Sequence, residues 1–127
     1  MIGRLPIRGT DAQGSGHFGA SRGSHAHKGI DLACYPGTEI RSTVHGTVTK
    51  LGWPYKNDLT FRYVQVTDIG GLDHRYFYIK PSVLVGDVVT PDAMLGTSQE
   101  LPYNDITQHV HYEIKNGSNY LDPTGYV

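Results

Sequence analysis

The sequence predicts an all-β fold, an antiparallel β-sheet or open barrel. Apolar residues form short runs separated by glycine and proline turn signals, which is typical of six or seven short strands. No segment keeps the 3.6-residue apolar period of an amphipathic helix for more than about two turns. The 127 residues suit one domain with a modest core. We expect residues 1–16, which are polar and glycine-rich, to be irregular, and residues 17–127 to form that single domain.

The first strands are expected in the middle of the N-terminal half. The apolar run at residues 29–34 predicts a strand, and Pro36 with Gly37 predicts a turn after it. Polar and apolar side chains then alternate over residues 39–51, which predicts a second strand. Gly46 interrupts this strand in the way that a bulge or bend does.

The remaining strands are expected in the C-terminal half, where five short runs favour β structure. These runs span residues 62–67, 75–80, 87–90, 93–97 and 109–114. Pro81 ends the second of them, because proline cannot donate a hydrogen bond to a neighbouring strand. Asn116 and Gly117 follow the last run and suit a tight hairpin turn.

Composition excludes several classes of function. Lys and Arg number 11 against 12 Asp and Glu, and no basic run gives the electrostatic footprint of a nucleic-acid-binding protein. No apolar stretch approaches the ~20 residues of a membrane span. The N-terminus lacks the apolar segment of a secretory signal, so we expect a mature chain without its signal or another delivery route. Cys34 is the single cysteine, which excludes an intrachain disulfide and a thiolate zinc cluster.

Histidine spacing gives the strongest functional signal. His109 and His111 lie in a predicted strand and therefore point to the same face, where one metal ion could use either or both. His27 and Asp31 form a second pair, four residues apart. Two imidazoles and one carboxylate suit a catalytic zinc ion with water as the fourth ligand, and such a water is a nucleophile for an amide carbonyl. Glu113 shares the face of His111 and could orient a ligand imidazole or form a plain salt bridge.

Five segments, in order, resemble the lysostaphin/LytM-type zinc metallopeptidases, which are peptidoglycan endopeptidases. They read FGASR from residue 18, HKGIDL from 27, VHGTV from 44, HVHYEI from 109 and LDPTGY from 121. The resemblance implies a groove between long loops, with Zn²⁺ held by His27, Asp31 and His111. It implies that His109 is a catalytic histidine and that the substrate is a peptidoglycan peptide, attacked by the zinc-bound water.

One position departs from the family pattern. The family usually carries a second catalytic histidine in a strand that reads YFYI here, and Tyr78 takes its place. The stretch from Tyr76 to Pro81 is similar to a chemotaxin-like animal branch of the family, which keeps the zinc site and is regarded as lacking peptidase activity. A tyrosine hydroxyl can donate a hydrogen bond to an oxyanion but is a poor base near neutral pH.

Two functional hypotheses follow. In the first, the chain is a zinc endopeptidase, attenuated by the substitution, with His109 and Tyr78 as catalytic residues. In the second, it is a catalytically silent zinc-stabilised binding module. A weaker hypothesis makes it part of a larger delivery assembly. All three place its action outside the cytoplasm, whether secreted, periplasmic or virion-delivered.

Other histidines and aromatic residues have no motif position. His25 could line the groove or lie in a solvated loop, and His74 could replace the missing histidine only if its strand slipped in register. The aromatic residues of the expected loops could form groove walls or be half-buried packing residues. They are Trp53, Tyr55 and Tyr103, with Pro54 beside them.

Overall fold

The computed structural model describes residues 5–11, 14–23, 25–103 and 105–127. Within these ranges the chain forms ten strands and a short 3₁₀ helix, Thr124–Tyr126, and no α-helix. The strands are β1 (Ile30–Ala33), β2 (Glu39–Arg41), β3 (Gly46–Gly52), β4 (Tyr63–Asp68), β5 (Asp73–Phe77), β6 (Ile79–Pro81), β7 (Val88–Val89), β8 (Met94–Ser98), β9 (His109–Asn116) and β10 (Asn119–Leu121). The predicted all-β class is confirmed. No helix in these ranges is long and apolar enough to cross a membrane.

The predicted number of strands is wrong, because two expected strands are each divided and β10 was not foreseen. The run at residues 39–51 divides into β2 and β3, which belong to different sheets. The run at residues 75–80 divides at Tyr78, whose φ of 69° lies in the left-handed region. The chain turns there and leaves the large sheet for the small one.

Two antiparallel sheets enclose the core. The larger has the order β1-β9-β5-β4-β3-β7, with β10 also paired to β9, and the smaller has the order β2-β8-β6. Ile40, Ile79 and Leu95 of the small sheet are fully buried in one apolar cluster with side chains of the large sheet. The large-sheet members include Ile30, Leu32, Val64, Val66, Val110 and Ile114. Burial of this apolar surface is the main stabilising contribution to the fold.

Strand register decides which side chains leave the core. β9 lies between β1 and β5, with Asp31 paired to His111 on one side and Phe77 paired to the same residue on the other. Because strand side chains alternate, Val110 points to the core and its neighbours in β9 point away from the small sheet. The outward side chains of β9 include His109, His111 and Glu113.

The N-terminal segment lies along the outer edge of β1. Ile7 forms a bridge with Leu32, and the Ala33 amide donates to the Pro6 carbonyl oxygen at 2.8 Å. This pairing covers a strand edge that would otherwise expose unpaired backbone groups. Residues 1–4, 12 and 13 belong to the segment that was predicted to be irregular, but they lie outside the described part of the chain.

Candidate metal centre and its groove

Three donor atoms converge on the outward face of β1 and β9. The distance from His27 Nε2 to His111 Nδ1 is 3.1 Å, and the distances from these atoms to Asp31 Oδ1 are 3.3 Å and 2.9 Å. A tetrahedral zinc ion with bonds of about 2.0–2.1 Å separates its ligand atoms by roughly 3.3 Å. The triangle therefore has the size that a zinc ion needs, and the three residues could hold a metal.

The backbone around these residues accounts for their convergence. Gly19 and Ala20 exchange main-chain hydrogen bonds with His27, which returns the loop to the sheet. Between His27 and β1 the chain passes tightly over β9 at Gly29. A Cβ atom there would lie 2.3 Å from the Tyr112 carbonyl oxygen, so only glycine allows this approach.

Hydrogen bonds to the second nitrogen of each imidazole fix which lone pairs face the centre. His27 Nδ1 is 3.0 Å from the His17 carbonyl oxygen, which can only accept, so His27 donates from Nδ1. His111 donates from Nε2 to Glu113 Oε1 at 3.0 Å. With both imidazoles neutral, as metal ligation requires, the atoms that face each other are two imidazole lone pairs and a carboxylate oxygen. Three acceptors at these distances repel one another unless a proton or a metal ion lies between them, and a metal ion can bind all three at once, so the donor set fits a metal ion.

Electrostatics also favours a cation at this centre. Burial raises the pKa of Asp31, but hydrogen bonds with His111 and His27 outweigh burial and hold it well below its usual range. Burial lowers the pKa of His111, but hydrogen bonds to Asp31 and Glu113 outweigh it and raise the pKa to about 9. The carboxylate is therefore ionised at neutral pH, and the centre attracts positive charge, whether a proton or a metal ion.

His109 lies beside the donor triangle. Its Nδ1 donates to the Thr107 carbonyl oxygen at 2.6 Å, which leaves Nε2 as an acceptor. Nε2 is 3.8 Å from Asp31 Oδ2, on the side of the carboxylate that faces away from the triangle. Burial lowers the pKa of His109, so its imidazole is neutral near pH 7.

Tyr78 enters the same groove through an unusual backbone conformation. A non-glycine residue at positive φ costs on the order of 1–3 kcal/mol, and such residues cluster at functional sites. The Tyr78 ring meets His109 edge to face at 6.0 Å, and its hydroxyl is 2.7 Å from the Tyr55 hydroxyl. Burial raises the pKa of Tyr78 well above its usual range, so the hydroxyl keeps its proton.

The centre forms the floor of an open groove of about 940 Å³. His25 lines this groove, as do Pro54 and Tyr55, which agrees with one of the two interpretations open for each. Tyr103 lines a smaller neighbouring pocket that also touches Tyr78. Trp53 is half exposed and lies under the Arg62 guanidinium, 4.2 Å from the ring centroid.

The structure brings together the residues that the sequence singles out and adds others. His27, Asp31, His109, His111 and Tyr78 all line one groove, while their roles as ligands and catalysts stay predictions. Glu113 contacts His111, which favours the orienting interpretation over a salt bridge alone. The His17 and Thr107 carbonyl groups hold imidazoles but are backbone groups, which no sequence pattern identifies. Arg8, a buried partner of Asp31, was also missed.

His74 does not reach the groove. Its side chain points to the opposite face of β5, is fully buried, and is 2.9 Å from Asp68 Oδ2. It therefore cannot replace the histidine that Tyr78 displaces.

Comparison with known proteins identifies the family. The chain matches peptidase family M23 over residues 25–123. It is 31% identical to leukocyte cell-derived chemotaxin-2 of Bos taurus over 123 residues, which cover 95% of this chain and 79% of that protein. The chain belongs to peptidase family M23, a family of zinc metallopeptidases that also includes chemotaxin-2.

Solved structures agree on the fold. The catalytic domain of the antimicrobial peptidase lysostaphin from Staphylococcus simulans superposes with a TM-score of 0.73 at 20% identity, covering 98% of this chain and 93% of that domain. The solution structure of lysostaphin gives a TM-score of 0.72 at 20% identity over 99% of this chain, which spans 54% of lysostaphin. The resemblance to lysostaphin-type peptidases, including the chemotaxin-like branch, is confirmed.

Proposed function

We propose that this chain is a zinc endopeptidase domain that hydrolyses peptide bonds of peptidoglycan outside the cytoplasm. The observation that carries the proposal is the convergence of three donor atoms within 2.9–3.3 Å of one another at the floor of an open groove. A free imidazole nitrogen and a protonated phenol border the same groove. The substrate class is taken from family membership, and the groove has a volume of about 940 Å³.

The metal ligands in this proposal are His27, Asp31 and His111. When bound, zinc supplies Lewis acidity, which polarises the scissile carbonyl group and lowers the pKa of a water molecule towards ~7. His17 and Glu113 hold the two imidazoles in the tautomers that ligation needs. Because the three ligand atoms already lie 2.9–3.3 Å apart, the side chains need to move by only a few tenths of an ångström when the ion binds.

His109 acts as the general base. Its Nε2 atom carries a lone pair that faces the site, while the Thr107 carbonyl oxygen holds the Nδ1 proton. It takes a proton from the attacking water as the new C–O bond forms. It then returns that proton to the amide nitrogen as the C–N bond breaks, so that an amine and a carboxylic acid leave the groove.

Tyr78 donates a hydrogen bond to the oxygen on which negative charge develops. Its buried hydroxyl keeps its proton, and the Tyr55 hydroxyl 2.7 Å away can donate to the phenolic oxygen and so direct the Tyr78 proton outwards. A donor of this kind is typically worth about 10²–10³ in rate. Tyr78 therefore takes over the part of the displaced histidine that stabilises charge, and His109 alone moves protons.

A second candidate is a zinc-stabilised binding module without turnover. The tyrosine at position 78 and the 31% identity to chemotaxin-2 favour it. In this case the groove binds a glycan, a peptide or a receptor and releases it without cleaving a bond. Both candidates require the metal, so metal binding alone does not separate them.

Turnover separates the two candidates. The zinc-loaded protein and its Tyr78→His and Tyr78→Phe variants are incubated with purified peptidoglycan and with its bridge peptides, and new amino groups are measured. We expect cleavage by the parent protein and a loss of about 10²–10³-fold on Tyr78→Phe, because the oxyanion donor is removed.

His45→Ala is the matched control, because His45 is exposed and lies in a pocket away from the groove. Cleavage by Tyr78→His alone would assign the parent chain to the binding module. No cleavage by either the parent or Tyr78→His would contradict the peptidase proposal altogether.

A further inference from the structure

Arg8 contacts the oxygen of Asp31 that the donor triangle does not use. Its Nη2 donates to Asp31 Oδ2 at 2.8 Å and its Nε donates to the same atom at 3.3 Å. Oδ1 meanwhile faces His27 and His111. One carboxylate oxygen of Asp31 therefore contacts Arg8, and the other faces the candidate metal centre.

The Arg8 guanidinium is fully buried and bound on its other side as well. Nη1 lies 2.6 Å from Asp11 Oδ1 and donates to the Gly14 carbonyl oxygen at 2.7 Å. The side chain has 0% exposure, and a buried arginine at this position is held only if its donors are satisfied in this way. Arg22 also reaches Asp31 Oδ2, at 3.4 Å, but from the partly exposed groove wall.

Main-chain pairing fixes Arg8 against the ligand. The Arg8 amide donates to the Asp31 carbonyl oxygen at 2.7 Å, and the Asp31 amide donates to the Gly16 carbonyl oxygen at 2.9 Å. Gly16 donates in turn to the Arg8 carbonyl oxygen, and a Cβ on Gly16 would lie 2.5 Å from that oxygen. The position of the guanidinium is therefore set by backbone hydrogen bonds on both sides of Asp31.

We infer that Arg8 is a positioning residue for the metal centre. It holds Oδ2 of Asp31 so that Oδ1 alone is presented to the ion, which makes the carboxylate a monodentate ligand in a fixed orientation. The N-terminal segment then helps to orient a metal ligand, although it precedes residues 25–123, which match the family. This inference rests on the proposed zinc binding by His27, Asp31 and His111.

The test measures metal affinity rather than activity. Arg8→Gln and Arg8→Lys are compared with the parent protein by zinc competition against a chelating dye and by the visible absorption bands of the Co²⁺-loaded protein. Arg41→Gln is the matched control, because Arg41 is a partly exposed arginine that contacts Glu39 and the Asp92 carbonyl oxygen, away from the metal centre. All measurements are made well below the melting temperature of each metal-free variant.

We expect Arg8→Gln to weaken zinc binding about 10–100-fold, as removal of an orienting partner typically does, and to change the Co²⁺ bands as the carboxylate turns. Arg8→Lys keeps the positive charge but lacks the planar guanidinium, whose two nitrogen atoms both donate to Asp31 Oδ2. Its zinc affinity should therefore lie between that of the parent and that of Arg8→Gln. Arg41→Gln should match the parent. A purely structural role for Arg8 would lower the melting temperature and leave the Co²⁺ bands of the folded protein unchanged.

Parent-like zinc affinity and Co²⁺ bands in folded Arg8→Gln would overturn the inference. If Arg8→Gln does not fold, the same result in Arg8→Lys overturns it. Failure of the proposed function looks different, since the parent protein would then bind neither ion, or His27→Ala and His111→Ala would bind both as the parent does.

Discussion

The two faces of strands β5 and β9 both carry buried histidine, but the nitrogen atoms of these histidines meet different surroundings. On the groove face, His109 and His111 each donate from one nitrogen to a protein oxygen. The second nitrogen of His109 faces the groove, and that of His111 lies 2.9 Å from Asp31 Oδ1 in the donor triangle. On the core face, His74 has no free nitrogen. Its Nδ1 accepts from the Tyr112 hydroxyl at 2.7 Å, and its Nε2 donates to Asp68 Oδ2 at 2.9 Å.

The core face continues as a closed chain of hydrogen bonds. The Thr43 hydroxyl is 2.8 Å from that of Tyr112 and 2.7 Å from that of Tyr76, and the two tyrosine rings stack at 4.9 Å. Every side chain in this hydrogen-bond network has its partner within the protein. A fully satisfied polar network of this kind specifies one packing arrangement and offers nothing to a ligand.

The comparison shows that burial does not distinguish a functional histidine from a structural one. His74 is 0% exposed, while His109 and His27 are 4% and 7% exposed. The difference lies in the second ring nitrogen and in what it faces. Changes on the groove face should therefore alter turnover and metal binding, and changes on the core face should alter stability alone.

The largest expected effect is on the groove face. His109→Ala should lower kcat/KM on peptidoglycan peptides about 10²–10⁴-fold, because a positioned base contributes that much. The zinc-loaded variant should keep its metal, since His109 is not one of the three proposed ligands.

Zinc content and turnover are measured on the same preparation. Parent-like turnover would remove His109 from the mechanism. If the variant lost both its zinc and its turnover, His109 would be a metal ligand and not only a general base, contrary to the proposed mechanism.

An intermediate effect is expected on the core face. His74→Phe keeps the ring that packs on Tyr112 and Tyr126 but removes the imidazole nitrogen that accepts from the fully buried Tyr112 hydroxyl, together with the hydrogen bond to Asp68. We expect the free energy of unfolding to fall by about 1–3 kcal/mol, the usual cost of an unsatisfied buried group. Urea unfolding measures this loss, with His45→Phe as the exposed control.

Zinc affinity of the His74→Phe variant should equal that of the parent at a temperature where both are folded. A weaker affinity would show that the two faces are coupled through β5 and β9, contrary to this account.

The smallest effect is the pH dependence of stability from the core face. Burial lowers the pKa of His74 below its usual 6.5, although Asp68 opposes this shift. The unfolded chain then binds the proton more readily, so the stability that His74 contributes is complete above about pH 6.5 and declines as the pH falls below it. One such group changes the free energy of unfolding by at most about 1.4 kcal/mol per pH unit.

Unfolding of the parent and of His74→Phe at pH 8, 7, 6 and 5 isolates this contribution, because the groove histidines are common to both proteins. The stability difference should narrow as the pH falls. A difference that stays constant from pH 8 to pH 5 would contradict the assignment of a neutral, buried His74.

Sequence reasoning predicted the groove face well because it depends on local periodicity. The two-residue alternation of strand β9 places His109, His111 and Glu113 on one side, and the structure has them there. The pairing of His27 with Asp31 came from spacing and resemblance. The fold class followed from short apolar runs and turn signals.

Other features escaped because they depend on contacts distant in sequence. The strand predicted at residues 75–80 is divided at Tyr78, which has a positive φ that is unusual for tyrosine and that the sequence does not indicate. This conformation is stabilised by the Arg62 carbonyl oxygen, which accepts a hydrogen bond from the Tyr78 amide at 2.8 Å. The role of Arg8 depends on a carboxylate 23 residues later. The only sequence signal for it is its place directly after the apolar Ile7, which pairs with β1.

If His27, Asp31 and His111 meet around one metal ion, the zinc content of the protein after equilibrium dialysis must depend on these side chains. We expect one zinc per chain in the parent protein and in His74→Phe, and none retained in His27→Ala or His111→Ala. A parent protein that holds no zinc, or stoichiometric zinc in both alanine variants, would contradict this expectation.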